Sequence, residues 1–112
     1  PSKIFRREGN DIYIEKEISY AQAVLGDRIE VPTLHSKEFL NIPQGTLSGA
    51  LFKLDNLGIK DVNYDEFGDL YIKVNIQIPR NLTKEQKEKL VEFSKSIGEK
   101  VKDKSIFSKV FK

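Results

Sequence analysis

The sequence predicts a mainly β fold: a small β-sandwich of short antiparallel strands, with one short connecting helix and one C-terminal helix. Three observations carry this expectation. Asp11–Ser19 and residues 69–78 alternate apolar and polar side chains at period two, the spacing of a half-buried strand. Turn-forming residues recur every few positions between them. Thr83-x-x-Gln86 fits a capping box, and Leu90, Phe93 and Ile97 follow it at helical spacing.

Residues 4–7 read as a short strand, and Glu8-Gly9-Asn10 as the turn after it, since Gly and Asn tolerate positive φ. In Asp11–Ser19, Ile12, Ile14 and Ile18 take one face and Tyr13, Glu15 and Glu17 the other; Lys16 interrupts the apolar row. Ser19 is a good N-cap for the Ala-rich segment Tyr20–Leu25, and Gly26 a good C′ residue, so a helix of one to two turns links two strands. Residues 27–33 return to strand through Ile29 and Val31, Leu34-His35-Ser36-Lys37 turn, and residues 38–42 come back. Residues 43–49 are a turn-rich connector, residues 50–54 another short strand, and residues 55–67 a polar loop. The last strand sends Leu70, Ile72, Val74, Ile76 and Ile78 one way and Tyr71, Lys73, Asn75 and Gln77 the other. One buried and one wet face point to an antiparallel sheet. Asp69-Leu70-Tyr71-Ile72 echoes Asp11-Ile12-Tyr13-Ile14 as a shared strand opening, which is too short to count as an internal repeat. Gly98 closes the helix, and Ile106, Phe107, Val110 and Phe111 follow at helical spacing in a segment too short to bury them alone. The expected division is a sandwich over residues 1–80 and a helix with its tail over residues 81–112.

Composition removes several function classes. A chain of 112 residues makes one domain and buries roughly 65% of its unfolded surface. Its 38% hydrophobic and 32% charged residues mark a globular chain, and its net charge of +2 argues against a dedicated nucleic-acid binder. The charge is uneven: from Lys84 onward nine lysines stand against five acidic residues, a net of +4 that leaves −2 for the remainder. With no cysteine there is no disulfide, zinc knuckle or thiol nucleophile, and a reducing, cytoplasmic setting is expected. No apolar run approaches the ~20 residues of a membrane helix. The start at Pro1 and the absence of Met read as a piece of a longer polypeptide.

No constellation of residues carries catalysis. His35, the only histidine, sits in a turn with no identifiable triad partner. Glu15 and Glu17 lie two apart on a wet strand face, the ordinary solvated arrangement rather than a carboxylate pair across a cleft. Asp61, Asp65 and Glu66 lack the spacing of a calcium loop. Gly45-Thr46-Leu47-Ser48-Gly49 lacks the Gly-Lys-Ser/Thr ending of a phosphate loop and precedes a strand. The lysine-rich segment from Lys84 reads as a solvated helix face, with Glu85 and Lys89 paired at i, i+4. No catalytic residue, metal ligand or cofactor is assigned.

The residues Ile12-Tyr13-Ile14-Glu15-Lys16-Glu17-Ile18-Ser19-Tyr20-Ala21-Gln22-Ala23-Val24-Leu25-Gly26, then Ile29-Glu30-Val31-Pro32-Thr33-Leu34, carry a family resemblance. So do Ile42-Pro43-Gln44-Gly45-Thr46-Leu47-Ser48-Gly49, Gly68-Asp69-Leu70-Tyr71-Ile72 and Pro79-Arg80-Asn81-Leu82-Thr83-Lys84-Glu85-Gln86. In this order they resemble the C-terminal substrate-binding region of DnaJ-type co-chaperones, in particular the second of its two β-sandwich subdomains plus the dimerisation segment. The sequence holds no His-Pro-Asp and no Cys-x-x-Cys, so the J domain and the zinc-binding region lie outside it, as does the first β-subdomain. It departs from the pattern at Asp27, where a second glycine is common, at His35-Ser36, and in the less basic loop over residues 55–60.

The resemblance implies a co-chaperone fragment without turnover. It would bind non-native polypeptide, help form a homodimer, and serve the seventy-kilodalton heat-shock chaperone through parts outside this chain. Ile106, Phe107, Val110 and Phe111 are the expected dimer contact. Peptide binding is placed at the edges formed by Asp11–Ser19 and residues 4–7, with no residue singled out. The rival reading is a nucleic-acid-binding module using the lysine-rich helix, which a steep salt dependence would reveal.

Overall fold

The computed structural model describes residues 5–34 and 36–99. Its elements are β1 (Arg6–Glu8), β2 (Asp11–Ser19), α1 (Tyr20–Leu25), β3 (Asp27–Pro32), β4 (Lys37–Ile42), β5 (Leu51–Leu54), β6 (Lys60–Asp61), β7 (Glu66–Phe67), β8 (Leu70–Gln77) and α2 (Lys84–Ser96). The chain divides after Ile78 into two compact units. The first contains a four-stranded sheet in the order β1-β2-β8-β5, the two-stranded β3–β4 sheet and the small β6–β7 hairpin.

Alternation decides which faces are buried. Ile12, Ile14 and Ile18 on β2 and Leu70, Ile72 and Val74 on β8 are at most 3% exposed. Ile29 and Val31 of β3, Leu40 and Ile42 of β4, and Ala23 of α1 complete the same cluster. Both sheets therefore bury their apolar faces in one core, and the mainly β reading holds.

Within that class, one pairing differs from expectation. β2 and β8 run parallel, in register from Ile12↔Leu70 to Ser19↔Gln77. β5 flanks β8 on its other side and is antiparallel to it. A wet face generally accompanies antiparallel pairing because parallel strands are usually covered on both sides. Here α1, the β3–β4 hairpin and β5 all intervene between β2 and β8, supplying the long crossover that a parallel return needs. Three smaller differences concern element ends. The first strand starts at Arg6 and runs to Glu8. The stretch over residues 55–67 holds the β6–β7 hairpin rather than loop alone, with Lys60↔Phe67 and Asp61↔Glu66 paired. Ile78, expected inside, is 70% exposed, because the strand stops before Pro79, which has no N–H for a ladder.

Both helices among the described residues begin with a capping box. Ser19 Oγ accepts from the Gln22 N–H at 3.0 Å, and Gln22 Oε1 accepts from the Ser19 N–H at 2.8 Å. Thr83 and Gln86 repeat this at 3.1 and 2.7 Å at the start of α2. Leu90 and Phe93 of α2 and Ile97 at its C-cap are all partly exposed, so their stripe is only incompletely covered. Among the described residues no helix is long and apolar enough to cross a membrane.

A clasp of backbone bonds ties the turn before β2 to the segment before β8. The Ile59 N–H donates to the Asn10 carbonyl at 2.7 Å, the Gly58 N–H to the Gly68 carbonyl at 2.9 Å, and the Gly68 N–H to the Ile59 carbonyl at 2.9 Å. The Asp69 N–H donates to Asp11 Oδ1 at 2.8 Å. Asp69 in turn accepts from the Asn56 N–H at 3.0 Å; that bond, helped by Lys53 Nζ at 3.5 Å, holds its carboxyl below the usual carboxylate range.

The approach at this clasp explains two glycines without appeal to φ. A Cβ on Gly68 or on Gly58 would overlap the Asn10 carbonyl oxygen, and this neighbour is backbone. Gly68→Ala is therefore expected to destabilise the chain by about 2 kcal/mol or more, as overpacking against a fixed neighbour does. Gly45→Ala has open space and only a left-handed backbone to strain, and should cost about 1 kcal/mol. Urea unfolding of the two variants checks the order; equal midpoints would contradict it.

Candidate functional site

Among the described residues of the first unit, more than one element builds each of two surfaces. The first is an open cleft of about 310 Å³ between β2 and β3. Ile18 and Ile29 contribute its apolar lining and are 2% and 7% exposed. Lys16 and Glu17 stand on the β2 side, Asp27, Arg28 and Glu30 on the β3 side, and Gln22 of α1 completes the lining. Local bonds fix several of these groups. Asp27 accepts from Gln22 Nε2 at 3.0 Å and from the Arg28 N–H at 2.7 Å. The Arg28 guanidinium lies 4.3 Å from the centroid of Phe39, and Glu30 Oε1 is 3.8 Å from Lys37 Nζ. The lining thus joins two buried isoleucines to three carboxylates and two cations. Among the described residues it brings together no nucleophile with a base.

The second surface is the solvated face of the four-stranded sheet. Parallel register sets Tyr13 beside Tyr71, with ring centroids 4.8 Å apart and planes 11° from parallel. Arg6 lies opposite Tyr13, its guanidinium 5.3 Å from the ring centroid, and Lys53 lies opposite Tyr71. Arg6, Tyr13, Tyr71 and Lys53 therefore form one row across four strands. Partial burial raises the Tyr13 hydroxyl's pKa, and the nearby Glu8 adds to the rise. Asp69 first, and then Asp55, raise that of the Lys53 ammonium. Because Arg6 and Tyr71 both pack on Tyr13, this row is a cross-strand brace rather than an open platform for stacking bases.

Ile106, Phe107, Val110 and Phe111, the expected dimer contact, lie outside the described residues, as does His35. Glu15 accepts from Asn75 Nδ2 at 2.8 Å on the solvated face. Asp61 accepts from Asn10 Nδ2 and from the Asn63 N–H, while Asp65 pairs with Lys60 at 3.0 Å. Among the described residues no three His, Cys, Asp or Glu side chains converge to hold a metal. In the glycine-bearing connector, the Gly45 and Thr46 N–H groups donate to carbonyls at the end of α1 and the Gly49 N–H to Val74, so those donors are already engaged and do not face an anion. In α2, Lys89 pairs with Glu85 at 3.5 Å, and Glu88 and Glu92 interleave with the lysines, which gives the nucleic-acid reading no added support.

The sequence places peptide binding at Asp11–Ser19 and residues 4–7 without singling out a residue. Lys16, Glu17 and Ile18 of Asp11–Ser19 do line the cleft, whereas its β3 side and the row of rings are missed. The available signal for the cleft was Lys16, a charge within an apolar row. The signal for the row of rings was the tyrosine at the same place in both halves of the echo, which only parallel pairing brings together.

Comparison with known proteins gives consistent matches. The family model described as the DnaJ C terminal domain matches residues 1–79. The chain is 46% identical over 111 residues to a protein named Chaperone protein DnaJ from Methanothermobacter thermautotrophicus, covering 98% of this chain and 30% of that protein. It is 46% identical over 112 residues to the protein of that name from Acetivibrio thermocellus, covering 98% and 29%. The similarity to the one from Staphylococcus aureus is 43% over 103 residues, covering 92% and 27%. The chain thus spans about three-tenths of the length of these relatives.

The tyrosine row makes a stability prediction that the core alone does not. A double-mutant cycle of Tyr13→Ala and Tyr71→Ala, read by urea unfolding, should return a coupling of about 0.5–1.5 kcal/mol. A coupling indistinguishable from zero would mean that the rings pack independently.

Proposed function

The chain belongs to the DnaJ C-terminal domain family, and on that footing we propose that it serves as the part of a co-chaperone that holds non-native polypeptide and joins two copies of its parent. The family is one of chaperones rather than enzymes, and we assign this chain no turnover and no cofactor. In this reading residues 1–80 form the polypeptide-holding sandwich and residues 81–112 the dimerising segment. Work with the seventy-kilodalton heat-shock chaperone, through parts of the parent outside this chain, and a cytoplasmic setting complete the proposal.

The observation that carries the placement of polypeptide is the cleft between β2 and β3. Among the described residues β3 is laddered on one side only, by β4, and it is six residues long. An extended segment can add to such an edge through main-chain bonds, with side chains entering the pocket beneath. Ile18 and Ile29 offer it an apolar contact, while the charged lining limits how much apolar surface any one segment can bury there. The hold is therefore weak and general, which suits proteins that are passed on.

Two measurements test this. The chain should bind reduced and alkylated α-lactalbumin, a permanently unfolded probe, and Lys16→Trp, which fills the cleft from β2, should weaken binding at least five-fold with an unchanged urea midpoint. Undiminished binding by a folded Lys16→Trp variant would remove the cleft from the reading. For the dimer, sedimentation should give twice the chain mass for residues 1–112 and the single mass once residues 105–112 are deleted. The same single mass for both would end the assignment of Ile106, Phe107, Val110 and Phe111.

A further inference from the structure

The hairpin decides which main-chain groups β3 presents on its edge away from β4. The Thr33 N–H donates to the Ser36 carbonyl at 2.8 Å, which makes these two residues the hydrogen-bonded pair that closes β3 on β4. N–H direction alternates along a strand. Asp27, Ile29 and Val31 therefore turn their N–H and C=O toward β4, opposite Ile42, Leu40 and Glu38. Arg28, Glu30 and Pro32 turn theirs to the open edge, and Arg28 and Glu30 line the cleft.

Donors and acceptors are unequal on this edge. Arg28, Glu30 and Pro32 each present a carbonyl. Pro32 has no N–H, and it stands where an edge strand accepts proline. The Arg28 N–H is already engaged, because it donates to Asp27 Oδ1 at 2.7 Å. That carboxylate is held in place from its other side: Asp27 Oδ2 accepts from Gln22 Nε2 at 3.0 Å. Gln22 is fixed in turn by the capping box of α1, where its Oε1 accepts from the Ser19 N–H at 2.8 Å. Among the described residues the edge is left with three carbonyls and one open N–H, that of Glu30.

We propose that Asp27 is a cover on the binding edge: its carboxylate withholds the Arg28 N–H, so that polypeptide added to β3 is held by the N–H groups it donates and receives one N–H, from Glu30, in return. Guest carbonyls opposite Arg28 and Pro32 gain no donor from β3, which keeps the hold weak. The cover stands on the geometry of Gln22, Asp27 and Arg28; its effect on polypeptide rests on the polypeptide-binding reading above.

In the folded chain the Arg28 amide should exchange with solvent about ten-fold more slowly than the Glu30 amide, each measured by NMR against its unfolded rate. Equal protection of the two overturns the cover. Asp27→Ala uncovers the Arg28 N–H and should bind reduced and alkylated α-lactalbumin about two- to ten-fold more tightly than the unaltered chain, the gain of one added hydrogen bond. The gain should persist in about 1 M NaCl, where the Debye length is about 3 Å. A gain that vanishes there comes from the removed charge and overturns the proposal, as does an unchanged affinity. If neither chain binds the probe, the polypeptide-binding reading fails and the effect on polypeptide falls with it, while the Arg28 exchange still decides the cover.

Discussion

The parallel register of β2 and β8 is the constraint on which the rest of the first unit depends. It aligns Ile12, Ile14 and Ile18 with Leu70, Ile72 and Ile76 residue for residue. A slip by one residue would send each of these side chains to the opposite face. Each fully buried Ile, Leu or Val contributes about 1.5–3 kcal/mol, so the row of buried side chains outweighs any single surface pair in choosing the register. The stacked tyrosines are worth about 0.5–1.5 kcal/mol beyond their burial, and they follow from that choice rather than make it. The same holds for the bond from the Asp69 N–H to Asp11, which forms only when the two strand openings lie level.

Once β2 and β8 are fixed, the flanks of the sheet follow. β1 reaches β2 through a tight turn at Gly9 and Asn10, and the Asn10 carbonyl is then held by Ile59 from the far side of the clasp. β5 lies along β8, and Lys53 reaches both Asp55 and Asp69. The outer strands are three and four residues long and carry Arg6, Arg7, Glu8 and Lys53. Short, charged edge strands resist pairing with another chain. The longer edge of β3, with the cleft beneath it, is a better acceptor for an extended segment than either.

Much of this was legible because period-two alternation reports burial directly. Ile12, Ile14, Ile18, Leu70, Ile72 and Val74 are all buried as their spacing predicts, and Ser19, Thr83 and Gln86 take the capping roles their chemistry predicts, while Gly26, expected at C′, ends α1 as its C-cap. What the sequence did not disclose depends on pairing between distant segments. Alternation on β8 looks the same whether its neighbour runs parallel or antiparallel. Gly58 reads as an ordinary loop glycine, and nothing local marks the close approach at Gly68, until the Asn10 carbonyl is seen between them. The two-residue strands β6 and β7 are too short for any periodicity. The cleft needed β3 placed across from Lys16, and no local pattern contains that information.

The size of the cleft links the two halves of the proposed function. At about 310 Å³ it stands at the lower end of ligand pockets, and its apolar lining is two isoleucines. Such a site buries little of an extended chain, so most of what it gains comes from main-chain bonds that any sequence can offer. Association must also offset the lost translational and rotational freedom of a flexible partner. A single site of this kind discriminates little and releases quickly. In the proposed homodimer two such sites would change the arithmetic, because the second contact would be intramolecular at a high effective concentration. Avidity then supplies retention while each contact stays weak enough to let go. Within the proposed function, a segment that joined two copies would be part of the polypeptide-holding and not an accessory to it.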